Sequence, residues 1–340
     1  MTITRDDVAK LAGVSPATVS YVMNNGPRPV SDETRQRVLL AIDQLNYHPN
    51  TIARSLKTKI TNNAGVIVSD ILNLTLTSIE ESIEDLFIQQ NYIMTICHTD
   101  ESPERERMWL DLLRNRRVDG IILLPTGGNR SLLFSTVESG LPLVLLDRQI
   151  EGLRADSVLF DNEAGAYMAV DHLISQGHTK IGLLNLPVSL TPGQGRLRGY
   201  QRALTDHGIH IHPEYIKEGS FKAQEGPTLA SELLDIDPPP TALLVSSNRL
   251  AQGVLEQVKL RGLSIPQDLA ICTFDDMAYY SFFNPTITAI STDAREFGAV
   301  AVQYLIDRIN GIYSGPPRTY LVPCHLNVRE STIGFSKSIK

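Results

Sequence analysis

Asp7-Val8-Ala9-Lys10-Leu11-Ala12-Gly13-Val14-Ser15-Pro16-Ala17-Thr18-Val19-Ser20-Tyr21-Val22-Met23-Asn24 carries a dense set of local signals. Val8, Leu11 and Ala12 fall at i, i+3 and i+4, which predicts a short helix with one apolar stripe. Gly13 ends that helix, because a left-handed residue at a helix C-terminus costs glycine nothing. Ser15 is a good N-cap, and Pro16 stands at the first helical position, where its missing N–H is no loss. In the second helix Val19, Val22 and Met23 form the inner stripe. Ser15 and Pro16 at its start, with Ala17, Thr18, Ser20, Tyr21 and Asn24, face outward. That face is small and polar, able to lie against a duplex and offer hydroxyl, phenol and amide groups to base edges and phosphates. Two helices joined this way make a helix-turn-helix whose second helix enters the major groove; the competing reading is a helical hairpin in a core.

The flanking residues extend the pattern. Asn25-Gly26-Pro27-Arg28-Pro29 is a turn-rich loop, and Ser31 caps a third helix with Asp32 and Glu33 in its first turn, where the helix dipole favours them. Val38, Leu39, Ile42 and Leu45 are expected to close a three-helix headpiece, which Tyr47-His48-Pro49-Asn50 ends. Thr51 to Lys57 is one or two helical turns, too short to be stable alone, and should order only against a partner. As a plain linker it would be unusually apolar at Ile52 and Leu56.

Charge separates the two parts of the chain. The net charge is −7 over 340 residues, yet residues 1–60 hold eight Lys and Arg against five Asp and Glu, a balance of +3. The remaining residues hold 23 against 33, a balance of −10. Positive charge is thus concentrated where phosphate contact needs it. No apolar run approaches the roughly 20 residues of a membrane helix, and the start is not signal-like, which predicts a cytoplasmic protein. Cys97, Cys272 and Cys324 are odd in number and far apart, as expected of free thiols in a reducing compartment.

From Ala64 onward strand-like and helix-like runs alternate. Gly65-Val66-Ile67-Val68, Ile93-Met94-Thr95-Ile96, Gly120-Ile121-Ile122-Leu123-Leu124 and Leu143-Val144-Leu145-Leu146 have the composition of buried parallel strands. A second series begins near Val158-Leu159-Phe160 and continues through Ile181-Gly182-Leu183-Leu184, Ala242-Leu243-Leu244-Val245 and Leu269-Ala270-Ile271-Cys272. Repeated βα units imply doubly wound parallel sheets, and this much chain implies two lobes. Ligands bind off the carboxyl ends of such strands. The residues there include Ser69-Asp70, Pro125-Thr126, Asp147-Arg148, Ser246-Ser247-Asn248 and Asp275-Asp276, a set suited to a polyhydroxylated ligand.

The pattern D-V-A-x-x-A-G-V-S-x-x-T-V-S-x-x-x-N, matched at every fixed position from Asp7 to Asn24, resembles the headpiece of the lactose-repressor (LacI/GalR) family of bacterial transcription regulators. The resemblance extends over essentially the whole chain. It implies a helix-turn-helix headpiece over residues 1–48, a hinge helix and linker over 49–61, and a two-lobed effector-binding and dimerisation core over 62–340. That core is similar to periplasmic sugar-binding proteins, with the chain crossing between lobes near 161, 290 and 320. Lobe 1 is then expected over about 62–160 and 291–319, lobe 2 over about 161–290 and 320–332. In relatives two hinge helices of a dimer meet in the minor groove and insert a leucine between base steps. Leu56 holds that position here, with Ala53 one turn back and Asn50 before it. The implied protein is a repressor acting as a homodimer on palindromic operator DNA under control of a sugar-like effector, with no cofactor and no metal.

Among candidate effector contacts, Asp147, Arg196, Phe221 and Asp275 stand where relatives touch their ligands, beside Asp70, Thr126 and Asn248 from the strand-end reading. Two departures from the family pattern point toward an anionic or unusual ligand. Asn73-Leu74-Thr75-Leu76 replaces a frequent N-P-F-F, and Asn248-Arg249 replaces the usual Asp. The absence of a heptad tail around Ser331–Lys340 argues for a dimer over a tetramer.

Other motifs have competing uses. Gly193-Gln194-Gly195-Arg196-Leu197-Arg198-Gly199 resembles a dinucleotide fingerprint, but its third glycine is one residue late. His207, His210 and His212 lie on a turn before Pro213 with no second ligand pair, as solvated side chains would. Asp275 and Asp276 are adjacent on a strand and so face opposite ways, unlike a catalytic carboxylate pair. No nucleophile–base pair marks an enzyme. A transport-type binding protein would share the core and carry a secretory signal in place of the headpiece.

Overall fold

The structure, a computed structural model, describes residues 3–24, 29–48, 60–70, 73–220 and 225–334. The chain divides into one unit over residues 1–61 and a second over 62–340. Asn50, Ala53 and Leu56, expected in the hinge, and Phe221, an expected effector contact, lie outside the described residues, as does the side chain of Asn24.

The first unit contains α1 (Arg5–Ala12), α2 (Pro16–Asn24) and α3 (Asp32–Gln44). Thr4 and Asp7 form a reciprocal capping box at the start of α1, and Gly13 ends it at φ +66° with its N–H turned back on the helix carbonyls. The core is built from Val8, Ala9, Ala12, Val19, Val22, Val38 and Ala41, with Met23, Ile42 and Leu45 against it. Leu11 and Leu39, expected inside, are both half exposed. At about 100° per residue, stripes centred on Val8, Ala9 and Ala12 in α1 and on Val38, Ala41 and Ile42 in α3 leave each leucine about 110° off axis. Alanines at the contact replace the larger side chains and let the helices approach closely.

The second unit alternates strand and helix: β1 (Asn63–Val68), α4 (Leu74–Gln89), β2 (Ile93–His98), α5 (Pro103–Asn115), β3 (Gly120–Leu123), α6 (Arg130–Glu138), β4 (Leu143–Leu146) and β5 (Asp156–Phe160). It continues with α7 (Asn162–Ser175), β6 (Ile181–Asn185), α8 (Thr191–Asp206), β7 (Ile216–Glu218), α9 (Gly226–Leu234), β8 (Ala242–Val245), α10 (Asn248–Arg261) and β9 (Ala270–Phe274). The remaining elements are β10 (Thr288–Thr292), α11 (Ala294–Ile309), β11 (Thr319–Val322) and β12 (Cys324–Asn327). The strands form two six-stranded sheets, ordered β11-β5-β4-β3-β1-β2 and β12-β10-β9-β8-β6-β7. Among the described residues the first is wholly parallel, and in the second only the β10–β12 pair is antiparallel. Each sheet is covered on both faces: α4 and α11 oppose α5 and α6 on the first, α7 and α8 oppose α9 and α10 on the second.

Sheet membership corrects two sequence expectations. Val158-Leu159-Phe160 does not open the second series but pairs with β4 and β11 in the first sheet. Tyr320, Leu321 and Val322, expected in the second lobe, pair with Val158, Leu159 and Phe160, so the third crossing lies at Pro323. The reason is electrostatic as well as main-chain. The buried Asp156 carboxylate accepts from Arg308 Nη2 (2.7 Å), Arg318 Nη2 (2.8 Å) and the Arg318 amide (2.8 Å), tying the approach to β11 onto the first sheet. Burial opposes its charge, but these hydrogen bonds prevail and hold its carboxyl below the usual range. The other crossings fall at Asp161 and Asp293, each the N-cap of the helix that follows.

Candidate functional site

In the first unit the residues expected to contact DNA lie at the start and outer side of α2. Ser15 Oγ accepts from the Thr18 amide (3.1 Å) and shares a hydrogen bond with Thr18 Oγ1 (2.9 Å), fixing the helix start. Ser15 and Ala17 are exposed, while Pro16, Thr18, Ser20 and Tyr21 are half-buried on the flanks of the same face. An exposed helix N-terminus rimmed by hydroxyls is a ready phosphate site.

In the second unit the strand order reverses between β1 and β3 and again between β6 and β8, and crevices open at the carboxyl ends beside such switch points. There the two lobes enclose a cavity of about 50 Å³ whose lining includes Asp70, Glu101, Asp147, Arg148, Arg196, Ser247, Asn248, Arg249 and Asp275. Five of the predicted effector contacts therefore meet: Asp70 and Asp147 from lobe 1, Arg196, Asn248 and Asp275 from lobe 2. Thr126 is not among the lining residues; its amide donates to Glu106 Oε2 (2.6 Å) and its hydroxyl accepts from Gly128. A second recess of about 380 Å³ shares Thr75 and Asp275 with the cavity and is edged by Thr77, Ser78, Ser291 and Thr292.

Asp147 directly follows β4 and Asp275 directly follows β9, both with left-handed backbone, φ +56° and +68°. Aspartate tolerates this conformation better than most side chains. The two carboxyls are pushed up by burial, with the Arg196 guanidinium as the chief opposing influence on each. Arg196 is itself buried and pushed down by desolvation. Its Nε donates to Asn162 Oδ1 (2.8 Å), its Nη1 donates to the Ser246 carbonyl, and its guanidinium lies 4.0 Å over the Phe274 ring. Asp275 Oδ2 accepts from the Asn248 amide at the start of α10 (3.4 Å). Asp147 Oδ1 and Asn248 Oδ1 are buried acceptors without a partner among the described residues, so the cavity is primed for ligand donors.

Glu101, Arg148 and Arg249 complete the wall. Arg148 pairs two-pronged with Glu101, and Arg249 pairs with Asp70. The cation expected to favour an anionic ligand is thus already matched within the protein. Sequence reasoning missed Glu101, three residues past β2, because its role depends on Arg148 far along the chain. The glycine run that mimics a dinucleotide fingerprint serves packing: a Cβ at Gly199 would lie 2.2 Å from the Glu163 carbonyl, and one at Gly195 2.8 Å from Asn162 Cβ. Close contact of α8 with α7 is what aims Arg196 into the cleft. Asp276 points away, bonded to Arg329 (2.7 Å) and Asn327 (2.7 Å). His207 and His212 face Asp171 and Glu214, and no three metal-ligating side chains converge among the described residues. All three cysteines are buried free thiols.

Comparison with known proteins agrees with both units. Residues 4–50 match the family described as bacterial regulatory proteins, lacI family, and residues 170–332 match a periplasmic binding protein-like domain. The chain is 36% identical over 313 residues to the "Probable HTH-type transcriptional regulator EndR" of Paenibacillus polymyxa, covering 91% of this chain and 92% of that one. It is 32% identical over 304 residues to the HTH-type transcriptional repressor PurR of Aliivibrio salmonicida, covering 89% and 91%. Among solved structures it is similar to the lac repressor dimer bound to operator and the anti-inducer ONPF, with TM-score 0.85, 28% identity and coverage of 98% and 100%. A complex of the transcriptional regulator CelR with cellobiose aligns with TM-score 0.74, 27% identity and coverage of 97% and 99%. With the headpiece and the two-lobed core both accounted for, the chain belongs to the LacI family of bacterial transcriptional regulators.

Proposed function

We propose that this protein is a cytoplasmic repressor, not an enzyme, that binds a near-palindromic operator as a homodimer and whose DNA affinity is set by a small, hydroxyl-rich effector in the interlobe cleft. The observation that carries this reading is the convergence of Asp147 and Asp275, one from each lobe, on Arg196, with buried acceptors left for ligand hydroxyls. Such a ligand contacts both lobes and therefore favours one lobe arrangement over another. Coupling to DNA then follows from linkage, with equal effect in both directions. A homodimer is supported by apolar side chains left in solvent on the core, Ile88 and Ile93 in lobe 1 and Leu260 and Phe282 in lobe 2.

DNA contact is assigned to Ser15, Pro16, Ala17, Thr18, Ser20, Tyr21 and Asn24 in the major groove, and to Asn50, Ala53 and Leu56 in the minor groove. Leu56→Ala tests this. It should weaken operator binding by about tenfold, on the scale of one base-step wedge, and leave small-molecule affinity of the core unchanged. Equal loss of both would refute the assignment.

A further inference from the structure

Among the described residues, one ion pair joins the two lobes. Asp70 follows β1 of lobe 1, Arg249 lies in the first turn of α10 of lobe 2, and Arg249 Nη2 donates to Asp70 Oδ2 across the cavity. Every other ion pair among the described residues lies within one lobe. Away from the crossing segments, one other hydrogen bond among the described residues spans the lobes, from the Gln149 amide to Thr191 Oγ1 (2.9 Å). Asp70 and Arg249 both line the cavity, so separating the lobes there breaks this pair.

We propose that Asp70–Arg249 is a latch: it holds the lobes together before any small molecule binds and makes opening of the cleft dependent on ionic strength. Both side chains keep about a quarter of their surface in solvent, 28% for Asp70 and 26% for Arg249. On opening, both charges rehydrate, so breaking the pair is far cheaper than exposing a fully buried one. The latch therefore biases the lobe equilibrium without freezing it. It also explains why Arg249 stands beside Asn248: the first turn of α10 aims a long cation from lobe 2 at the strand end of lobe 1. This inference deepens the regulator reading, because the equilibrium it sets is the one proposed to be coupled to DNA.

The experiment uses the full chain without DNA or added small molecules, with labels at Asn115→Cys and Lys259→Cys, exposed sites in lobes 1 and 2, and reads their distance distribution. Arg249→Gln and Asp70→Asn should each lower the closed-to-open ratio by about fivefold. The charge-swapped double variant Asp70→Arg/Arg249→Asp should restore the wild-type distribution. Raising ionic strength from about 0.05 M to about 0.5 M should open the wild type and leave either single variant unmoved. A distribution unchanged by both single substitutions, or a swap that behaves as the single variants do, overturns the latch. Neither result touches the regulator reading, which fails separately if the protein shows no sequence-selective DNA binding.

Discussion

Arg148 and Glu101 face each other as a two-pronged ion pair on the lobe 1 wall of the cleft, Nη1 to Oε2 at 2.7 Å and Nη2 to Oε1 at 2.6 Å. The arginine side chain is 2% exposed, and its Nη1 also donates to the Pro125 carbonyl (3.1 Å). Removing only the carboxylate strands a buried charge. Glu101→Ala should therefore cost about 3 kcal/mol of core stability in urea denaturation, and Glu101→Ala/Arg148→Met should recover most of it. A cost below about 1 kcal/mol would mean water already screens the pair.

Asp147 and Asp275 are placed to accept from ligand hydroxyls, so replacing either by its amide should remove acceptor charge while nearly preserving shape. Asp147→Asn and Asp275→Asn should each reduce effector affinity by about tenfold or more, the scale of a charged hydrogen bond. Operator affinity without effector should remain near that of the wild type. Fluorescence anisotropy on labelled operator, titrated with the wild-type effector, separates the two outcomes.

His178 supplies a pH dependence. It is 1% exposed, its Nδ1 pairs with Thr241 Oγ1 (3.0 Å), and burial, aided by nearby His172, pushes it down to about 4. Between the unfolded value near 6.5 and about 4, the unfolded chain holds a proton that the folded protein excludes. Stability is thus fully present above pH 6.5 and declines as pH falls, by about 3 kcal/mol at pH 4. A His178→Gln variant should show a flatter decline over that window in thermal melts. Parallel profiles would assign acid sensitivity elsewhere.

The solvent-facing apolar residues of the core offer a direct test of dimerisation. Ile93→Glu with Phe282→Glu should convert a dimer to a monomer in sedimentation velocity and weaken operator binding by roughly a hundredfold through lost bivalency. Unchanged sedimentation would place the dimer interface elsewhere.

Local signals were the most legible. The caps at Gly13 and Ser15 and the polar residues at strand ends act within a few residues of themselves, so the headpiece and the positions of Asp70, Asp147, Asn248 and Asp275 could be read from the chain. Features set by distant partners could not. Glu101 matters only through Arg148, and the third crossing is displaced because Asp156 captures Arg318 from 162 residues away. Leu11 and Leu39 fall outside the buried stripe because alanines, weak as hydrophobic signals, hold the centre of each helix contact. The glycines of α8 fit either a phosphate turn or a helix contact by spacing, and their packing on α7 selects the second.

The most direct test of ligand-controlled DNA binding is a titration of the intact protein on a duplex selected from random sequence. Affinity is measured across a salt series, with and without a panel of sugars, sugar acids, sugar phosphates and nucleobases. A ligand-controlled repressor gives sequence-selective binding that falls steeply with salt, and at least one compound shifts it by about fivefold or more. Binding that does not discriminate among sequences at any salt concentration would contradict that function.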